Sequence, residues 1–588
     1  MKNLITEHLD IWTSARAPKA NGGRGNGSTN GQTIYGIKKL RELILELAVR
    51  GKLVPQDSND EPASELLKKI AKEKEKLIKE GKIKRQKPLP EIGEDEKLFD
   101  IPDSWKWTRV GEVTNYGIAE KAEPGSVDST TWVLELEDVE KETSKLLKKV
   151  RFSDRRFRSS KNCFIEGDVI YGKLRPYLDK VLIADEDGVC TTEMIPLRGY
   201  ACITPNFLRL VMKSPYFISY ANQSTHGMNL PRMGTDKARL ALFPVVSETE
   251  QHRIVAKVDE LMALCDQLEK QETENTETHQ TLVKTLLSTL TGAKGYKEFK
   301  ETWNRIKDHF DILFTTEESI DQLKQTILQL AVMGKLVEQD PKAEPASELL
   351  KKIAKEKDQL IKEGKLNNQS QLAGIPENEE PFKLPKGWSF IRLGNITGKI
   401  GSGNTPRGGR SAYVQSGIPF LRSQNVWNHG LELDDVAYIT EKTHQKMANT
   451  AVRPNDILLN ITGASLGRST MFSDDLAEAN VSQHVTIIRP IRPETKYYLH
   501  LCIQSPYFQR LVWERQIGMA REGLSKKVLE LFEIPLPPLE EQIRITTKVA
   551  ELNGICNYLI GKSKKINEVV ITLAEVMSWQ INQAHNQI

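Results

Sequence analysis

Glu61 to Lys82 reads EPASELLKKIAKEKEKLIKEGK, and Glu344 to Lys365 reads EPASELLKKIAKEKDQLIKEGK. Only Glu75/Asp358 and Lys76/Gln359 differ, across a shift of 344 − 61 = 283 positions. The same shift superposes Leu45–Val54 (LELAVRGKLV) on Leu328–Val337 (LQLAVMGKLV), Trp105 on Trp388, Arg109 on Arg392 and Gly111 on Gly394. Further along, Gln251-x-Arg253-Ile254 matches Gln542-x-Arg544-Ile545 at a shift of 542 − 251 = 291, and Ser214-Pro215-Tyr216-Phe217 matches Ser505-Pro506-Tyr507-Phe508. Solenoid repeats have periods of roughly 20–50 residues, so this period describes two tandem half-chain copies. Between the matching stretches, residues from about 114 to 205 and from about 397 to 495 share little sequence. Both are rich in Val, Ile, Thr, Tyr and Phe with Gly and Pro breaks, as in Asp168-Val169-Ile170-Tyr171 and Ile457-Leu458-Leu459, which reads as mixed α/β. A shared scaffold carrying two different readers is the natural inference.

The order of parts gives an α+β architecture in five segments. They are a helical N-terminal region with a Gly-rich linker (1–99), a first globule (100–245), a central helical region (246–383), a second globule (384–538) and a C-terminal helix (539–588). The linker is the run Asn21–Ser28. The 588 residues have 39% hydrophobic and 28% charged content. That composition suits a soluble protein with large cores. No apolar run approaches 18 residues, so no membrane span is expected, nor does the N-terminus read as a signal peptide. Six cysteines without a Cys-x-x-Cys pair read as buried thiols of a reducing, cytoplasmic compartment. A net charge of +4 permits nucleic-acid binding only through a local basic face.

Two heptad seams stand out. Ile254, Val258, Leu261, Cys265 and Leu268 follow a 4, 3, 4, 3 spacing, repeated by Ile545, Val549, Leu552, Cys556 and Leu559. A strict a/d seam favours a coiled coil. The second seam resumes with Ile566, Val570, Leu573 and Met577. Two such helices in one chain can pair antiparallel and hold two globules a fixed distance apart. The repeated charged helix instead offers Leu66, Ile70 and Leu77, and in the second copy Leu349, Ile353 and Leu360, as candidate docking residues for another subunit.

No catalytic centre is legible. There is no P-loop, the nearest approach being Gly463–Thr470, and no H-E-x-x-H or G-x-S-x-G. Ser-Pro-Tyr-Phe at 214 and 505 is similar to an amino-methyltransferase element but lacks its second proline and a Gly-rich cofactor loop. The ten histidines show no metal spacing, so no metal site is expected. Nucleic-acid signals are clearer. Arg151, Arg155, Arg156 and neighbouring lysines form a basic run that can neutralise phosphates. Lys173 and Arg175 sit in the loop Tyr171–Tyr177, and Arg232 in Pro231–Gly234. The second globule offers Thr405, Arg407, Arg422, Gln424, Asn425, Arg468, Gln483, His484 and Arg521. Arg suits guanine N7/O6, and Asn or Gln suits adenine N6/N7.

These residues bring a family resemblance into view. Pro535-Leu536-Pro537-Pro538-Leu539-Glu540-Glu541-Gln542-Ile543-Arg544-Ile545 closes the second globule, Gly387-Trp388-x-x-x-Arg392-Leu393-Gly394 opens it, and Gly167-Asp168-Val169-Ile170 with Lys173-Leu174-Arg175-Pro176 marks the first. In motifs and order of parts, over nearly its whole length, the chain resembles the specificity (S) subunits of Type I restriction–modification systems. One departure is Pro244–Gln251, which lacks the closing proline pair. The resemblance implies two target recognition domains, each reading half of a bipartite site in double-stranded DNA. It implies helical conserved regions that bind two modification (M) subunits, with restriction (R) subunits added. S-adenosylmethionine, ATP and Mg would then belong to those partners, with no cofactor in this chain. A coiled-coil adaptor without a DNA role, or a fused enzyme, are the competing readings.

Overall fold

The computed structural model describes residues 8–17, 34–83, 85–227, 230–367, 371–472, 475–516 and 523–584. The Gly-rich stretch 21–28 and Arg521 lie outside them. The chain divides into two compact units, Met1–Asn275 with Ile566–Ile588, and Thr276–Lys565. Each unit therefore holds the head of one long helix and the tail of the other, since these helices span Glu248–Gly292 and Leu539–Ala584.

Within the first unit the two pieces run in opposite directions. Arg16 links Glu272 (2.6 Å) to Asn567 (2.9 Å), while Ala574 lies further along in the core with Ile254, Val258, Leu261 and Cys265. In the second unit Ile545, Val549, Leu552 and Cys556 are buried together with Val283, Leu287 and Leu290. Leu268 and Leu559 are half-buried against these cores. The head seams also pack on the units' other helices, the first against Leu40, Leu43, Ile44 and Leu47 of Tyr35–Val49. One register differs from expectation. In the C-terminal stretch Ile566 and Leu573 are exposed, and the inward row is Val570, Ala574 and Met577.

The repeated helices Ala63–Lys79 and Ala346–Lys362 correct a second expectation. Leu66 and Ile70, like Leu349 and Ile353, are buried in their own unit's core, and Leu77 and Leu360 are packed against it. An apolar row with i, i+4 spacing serves a core as well as it serves a partner, and here the core has taken it. The same lysine rung recurs: Lys74 reaches the Gly111 carbonyl at 3.5 Å and Lys357 the Gly394 carbonyl at 2.8 Å. The Gly-Lys-Leu-Val repeat is equally structural. Gly51 (φ +70°) and Gly334 (φ +65°) end their helices in the left-handed region, and a Cβ there would sit 2.5 Å from Pro102 and 2.4 Å from Pro385.

Each globule is closed at its base by a two-stranded antiparallel sheet, Lys106–Arg109 with Leu242–Val245, and Ser389–Arg392 with Glu533–Leu536. The Ser-Pro-Tyr-Phe elements also belong to this frame. Ser214 and Ser505 accept from the Phe217 and Phe508 amides as helix N-caps, with proline at the first helical position. Tyr216 and Tyr507 donate to the Leu242 and Glu533 carbonyls.

Beyond the base, the divergent stretches share a central strand arrangement and differ in their edge strands. Trp132–Leu134 runs parallel to Gly188–Cys190, as Ile418–Leu421 does to Ala479–Val481. A second sheet places Val169–Gly172 between Val181–Ile183 and Met194–Leu197. Its counterpart places Ile457–Asn460 between Ser469–Met471 and Val485–Pro490. The inner faces are continuous apolar runs, as strands buried on both sides require.

Candidate nucleic-acid interface

In the first globule three chain segments knit together at one end of the sheets. Lys173 N–H donates to the Glu193 carbonyl (3.0 Å), Met233 N–H to the Lys173 carbonyl (3.1 Å) and Arg175 N–H to the Pro231 carbonyl (2.8 Å). Lys173, Arg175 and Arg232 are thereby brought together. Arg232 is paired with Glu193 at 3.0 Å.

The basic run that precedes them is mostly spent within the domain. Arg151 pairs with Glu186, and Lys149 with Asp185 at 2.7 Å. Lys161 pairs with Glu135. Arg155 binds Asp138 through both carboxylate oxygens, one at 2.9 Å. That hydrogen bond holds the guanidinium even further above its ordinary pKa. The cause lies in a turn. Asp138 is fully buried, and its carboxylate accepts the Glu135 amide at 2.9 Å. A buried carboxylate needs a cation, and Arg155 supplies it. Arg156 and Arg158 are exposed and carry no ion pair with the described residues, so they remain available to phosphates.

In the second globule the corresponding turn holds Asn425. Its Oδ1 accepts the Arg422 amide at 2.9 Å, and its Nδ2 donates to the Glu432 carbonyl at 2.8 Å. Asn425 is thus a buried turn residue, and being neutral it needs no arginine. Four loops meet at this end. Asn404 N–H donates to the Val481 carbonyl, Ile461 N–H to the His484 carbonyl, and the Asn460 side chain to the Ser423 carbonyl at 2.8 Å. Arg407, Arg468, Gln483 and His484 are thus carried on one loop cluster with the exposed Thr405. Arg422 and Gln424 are both tied to Asp435, at 2.9 Å through its carbonyl and 2.6 Å through its carboxylate.

Sequence reasoning passed over two members of this cluster. The Arg468 guanidinium lies 3.8 Å from the centroid of Trp427, whose indole N–H donates to the Gln424 carbonyl. Thr462 Oγ1 is 2.6 Å from His484 Nδ1. Trp427-x-His429, so close to Arg422 and Gln424, was the available signal.

The two loops that lead from the central strand to its hairpin partner each hold a 3-10 turn and two left-handed residues at the same spacing. Arg175 and Asp179 are left-handed (φ 51° and 47°) around a 3-10 turn at Pro176–Leu178. Gly463 and Gly467 are left-handed (φ 71° and 86°), and here the 3-10 turn, Gly463–Ser465, starts at the first of them, one position earlier than in the other loop. Left-handed positions at the same spacing thus flank Pro-Tyr-Leu in one globule and Ala-Ser-Leu in the other, in loops that read Lys-Leu-Arg-Pro-Tyr and Ile-Thr-Gly-Ala-Ser. Among the described residues no group of His, Cys, Asp and Glu is arranged to hold a metal ion, and no helix is long and apolar enough to cross a membrane.

A duplicated helical frame that presents two related, chemically different loop clusters suits a sequence-reading subunit, and the chain belongs to the family of Type I restriction enzyme specificity subunits. Residues 385–569 match the family described as Type I restriction modification DNA specificity domain. The specificity subunit of the Type I restriction enzyme EcoAI of Escherichia coli is 38% identical over 98% of this chain and 99% of its own length. That of EcoEI, also from Escherichia coli, is 36% identical over 98% and 99%. A solved structure described under complex assembly and conformational transition of the type I R-M system shares the fold, with a TM-score of 0.51 at 19% identity over 82% of this chain and 98% of the other. Such a subunit recognises DNA sequence and is the non-catalytic member of its enzyme.

Proposed function

We propose that the chain reads a bipartite, asymmetric site in double-stranded DNA, one half with each globule, and directs adenine methylation and restriction by partner subunits. The observation that carries this reading is the pair of loops with matching left-handed positions and different side chains. Equal scaffolds place their loops alike, while unequal loops ask for unequal half-sites. Phosphate contacts from residues such as Arg156 and Arg407 would supply affinity, and loop side chains such as Arg175, Arg468 and Gln483 would supply specificity. S-adenosylmethionine, ATP and Mg2+ would be held by two modification subunits and the restriction subunits, in the cytoplasm.

The docking surface is reassigned in this proposal. With Leu66, Ile70, Leu349 and Ile353 buried, the better candidate is the row Ile566, Val569, Leu573, Val576 and Trp579, all exposed on the last helix. Five large apolar side chains on one helical face form the kind of stripe that another helix covers. The test exchanges the stretch 114–205 for the corresponding stretch of a relative with a different target. The reconstituted complex should keep the second half-site and acquire a new first one. Binding that is sequence-independent before and after exchange would overturn the reading, and no duplex binding at all would leave the coiled-coil adaptor.

A further inference from the structure

We infer that Tyr177 is a specificity-determining residue of the first globule, which reads a thymine methyl in its half-site; the inference rests on the DNA-reading function proposed above. Tyr177 lies at the tip of the Pro176–Leu178 turn, in the loop that carries Lys173 and Arg175, and half of its surface (51%) is exposed. Among the described residues its hydroxyl has no hydrogen-bond partner and its ring stacks on no other ring. Leu230, next to the Pro231 carbonyl that Arg175 binds, is exposed as well. An apolar tip within a cationic loop cluster fits a groove rather than a phosphate.

The tip stands on a rigid pedestal. Both flanking residues are non-glycine and left-handed, a conformation that costs free energy and persists only where the surroundings impose it. Here they do. Leu178 N–H donates to the Arg175 carbonyl at 2.8 Å, and Glu142 N–H to the Leu178 carbonyl at 2.9 Å. Lys213 donates to the Asp179 carboxylate (2.6 Å), to Ser144 Oγ (2.7 Å) and to the Glu142 carbonyl (2.9 Å). Ser144 Oγ in turn donates to the Asp179 carbonyl at 2.7 Å. The second globule puts glycines, Gly463 and Gly467, at the matching left-handed positions and Ser465 at the position that corresponds to Tyr177. The strained version therefore supports a particular side chain. On the base edges of the major groove the thymine methyl is the apolar group, and it is the chemical complement of an exposed ring.

The test uses the complete complex with its modification subunits and duplexes selected from a randomised library at fixed salt. The unaltered complex should select thymine at one position of the first half-site. Replacing that thymine by deoxyuridine should weaken binding on the order of tenfold, the scale of one lost base contact. Tyr177→Ala should show the same loss on thymine and no further loss on deoxyuridine, while Tyr177→Phe keeps the preference. Equal weakening on every sequence, or additive losses from the variant and the base change, would overturn the inference with the DNA reading intact. Failure of the unaltered complex to select any bipartite site would overturn both.

Discussion

Asp456 offers a sharp energetic test of the second globule, because an internal control exists in the first. Its carboxylate is fully buried, bound by Arg489 Nε at 2.6 Å and Nη2 at 2.7 Å, and by the Arg453 amide at 2.8 Å. Arg489→Met removes the cation and leaves the charge one backbone donor. Breaking a buried pair from one side costs about 3–5 kcal/mol. The matching residue, Asp168, is 4% exposed, but its partner Arg198 is 54% exposed, so water can replace the guanidinium. Arg198→Met should cost less, about 2 kcal/mol, the scale of a hydrogen bond to a charged group. A chain of two units is not a two-state system, so the assay should be local. Hydrogen exchange of the strand Ile457–Asn460 reports the opening free energy there. With about 1.4 kcal/mol per tenfold, Arg489→Met should speed exchange by roughly two to three and a half orders of magnitude. Asp456→Asn combined with Arg489→Met should recover most of the loss. An unchanged exchange rate in Arg489→Met, or a larger effect from Arg198→Met, would refute the argument.

Three further predictions follow from the same reasoning. His500 is buried, its pKa pushed down to about 4 by desolvation, with a hydrogen bond to the Ser469 backbone opposing the shift. The unfolded chain takes up this proton near pH 6.5 and the folded one only near 4, so stability falls as pH drops through this window, by about 3 kcal/mol at pH 4; His500→Gln should flatten acid unfolding of the second globule, followed by circular dichroism. Gly51→Ala should cost more than Gly81→Ala, because both are left-handed but only the former has Pro102 at 2.5 Å from the new Cβ; the conformational part is about 1–2 kcal/mol, and exchange protection of Tyr35–Val49 for the first and of Ala63–Lys79 for the second measures the difference. Arg175→Ala should lose discrimination in the first half-site by about 1–3 kcal/mol if the side chain reads a base; duplex selection that shows uniform weakening would reduce it to a phosphate contact.

The duplicated frame was legible because helix termini, glycine turns and core contacts demand particular residues: Gly51 and Gly334 cannot carry a Cβ, and Ser214 and Ser505 must cap. The kinship of the globules was hidden because their shared central strand arrangement rests on backbone pairing and left-handed positions, which Arg175 and Gly463 satisfy with different side chains. Burial of Leu66 and Leu349 could not be told from docking, since both uses need one apolar row. Ala574 escaped the seam because a small residue carries little hydrophobic signal, although close helix packing favours it. The basic run looked free because its acids lie outside it in sequence, Glu186 for Arg151 and Asp138 for Arg155, and the same holds for Arg232 with Glu193.

The central claim, that this chain chooses the DNA sequence on which its partners act, is tested most directly by mapping methylated adenines across the genome of the source cell, with the gene intact and deleted, while the modification subunits are expressed. The account predicts that one asymmetric bipartite motif loses its methylation on deletion and regains it on complementation. Persistence of every methylated motif after deletion would contradict it.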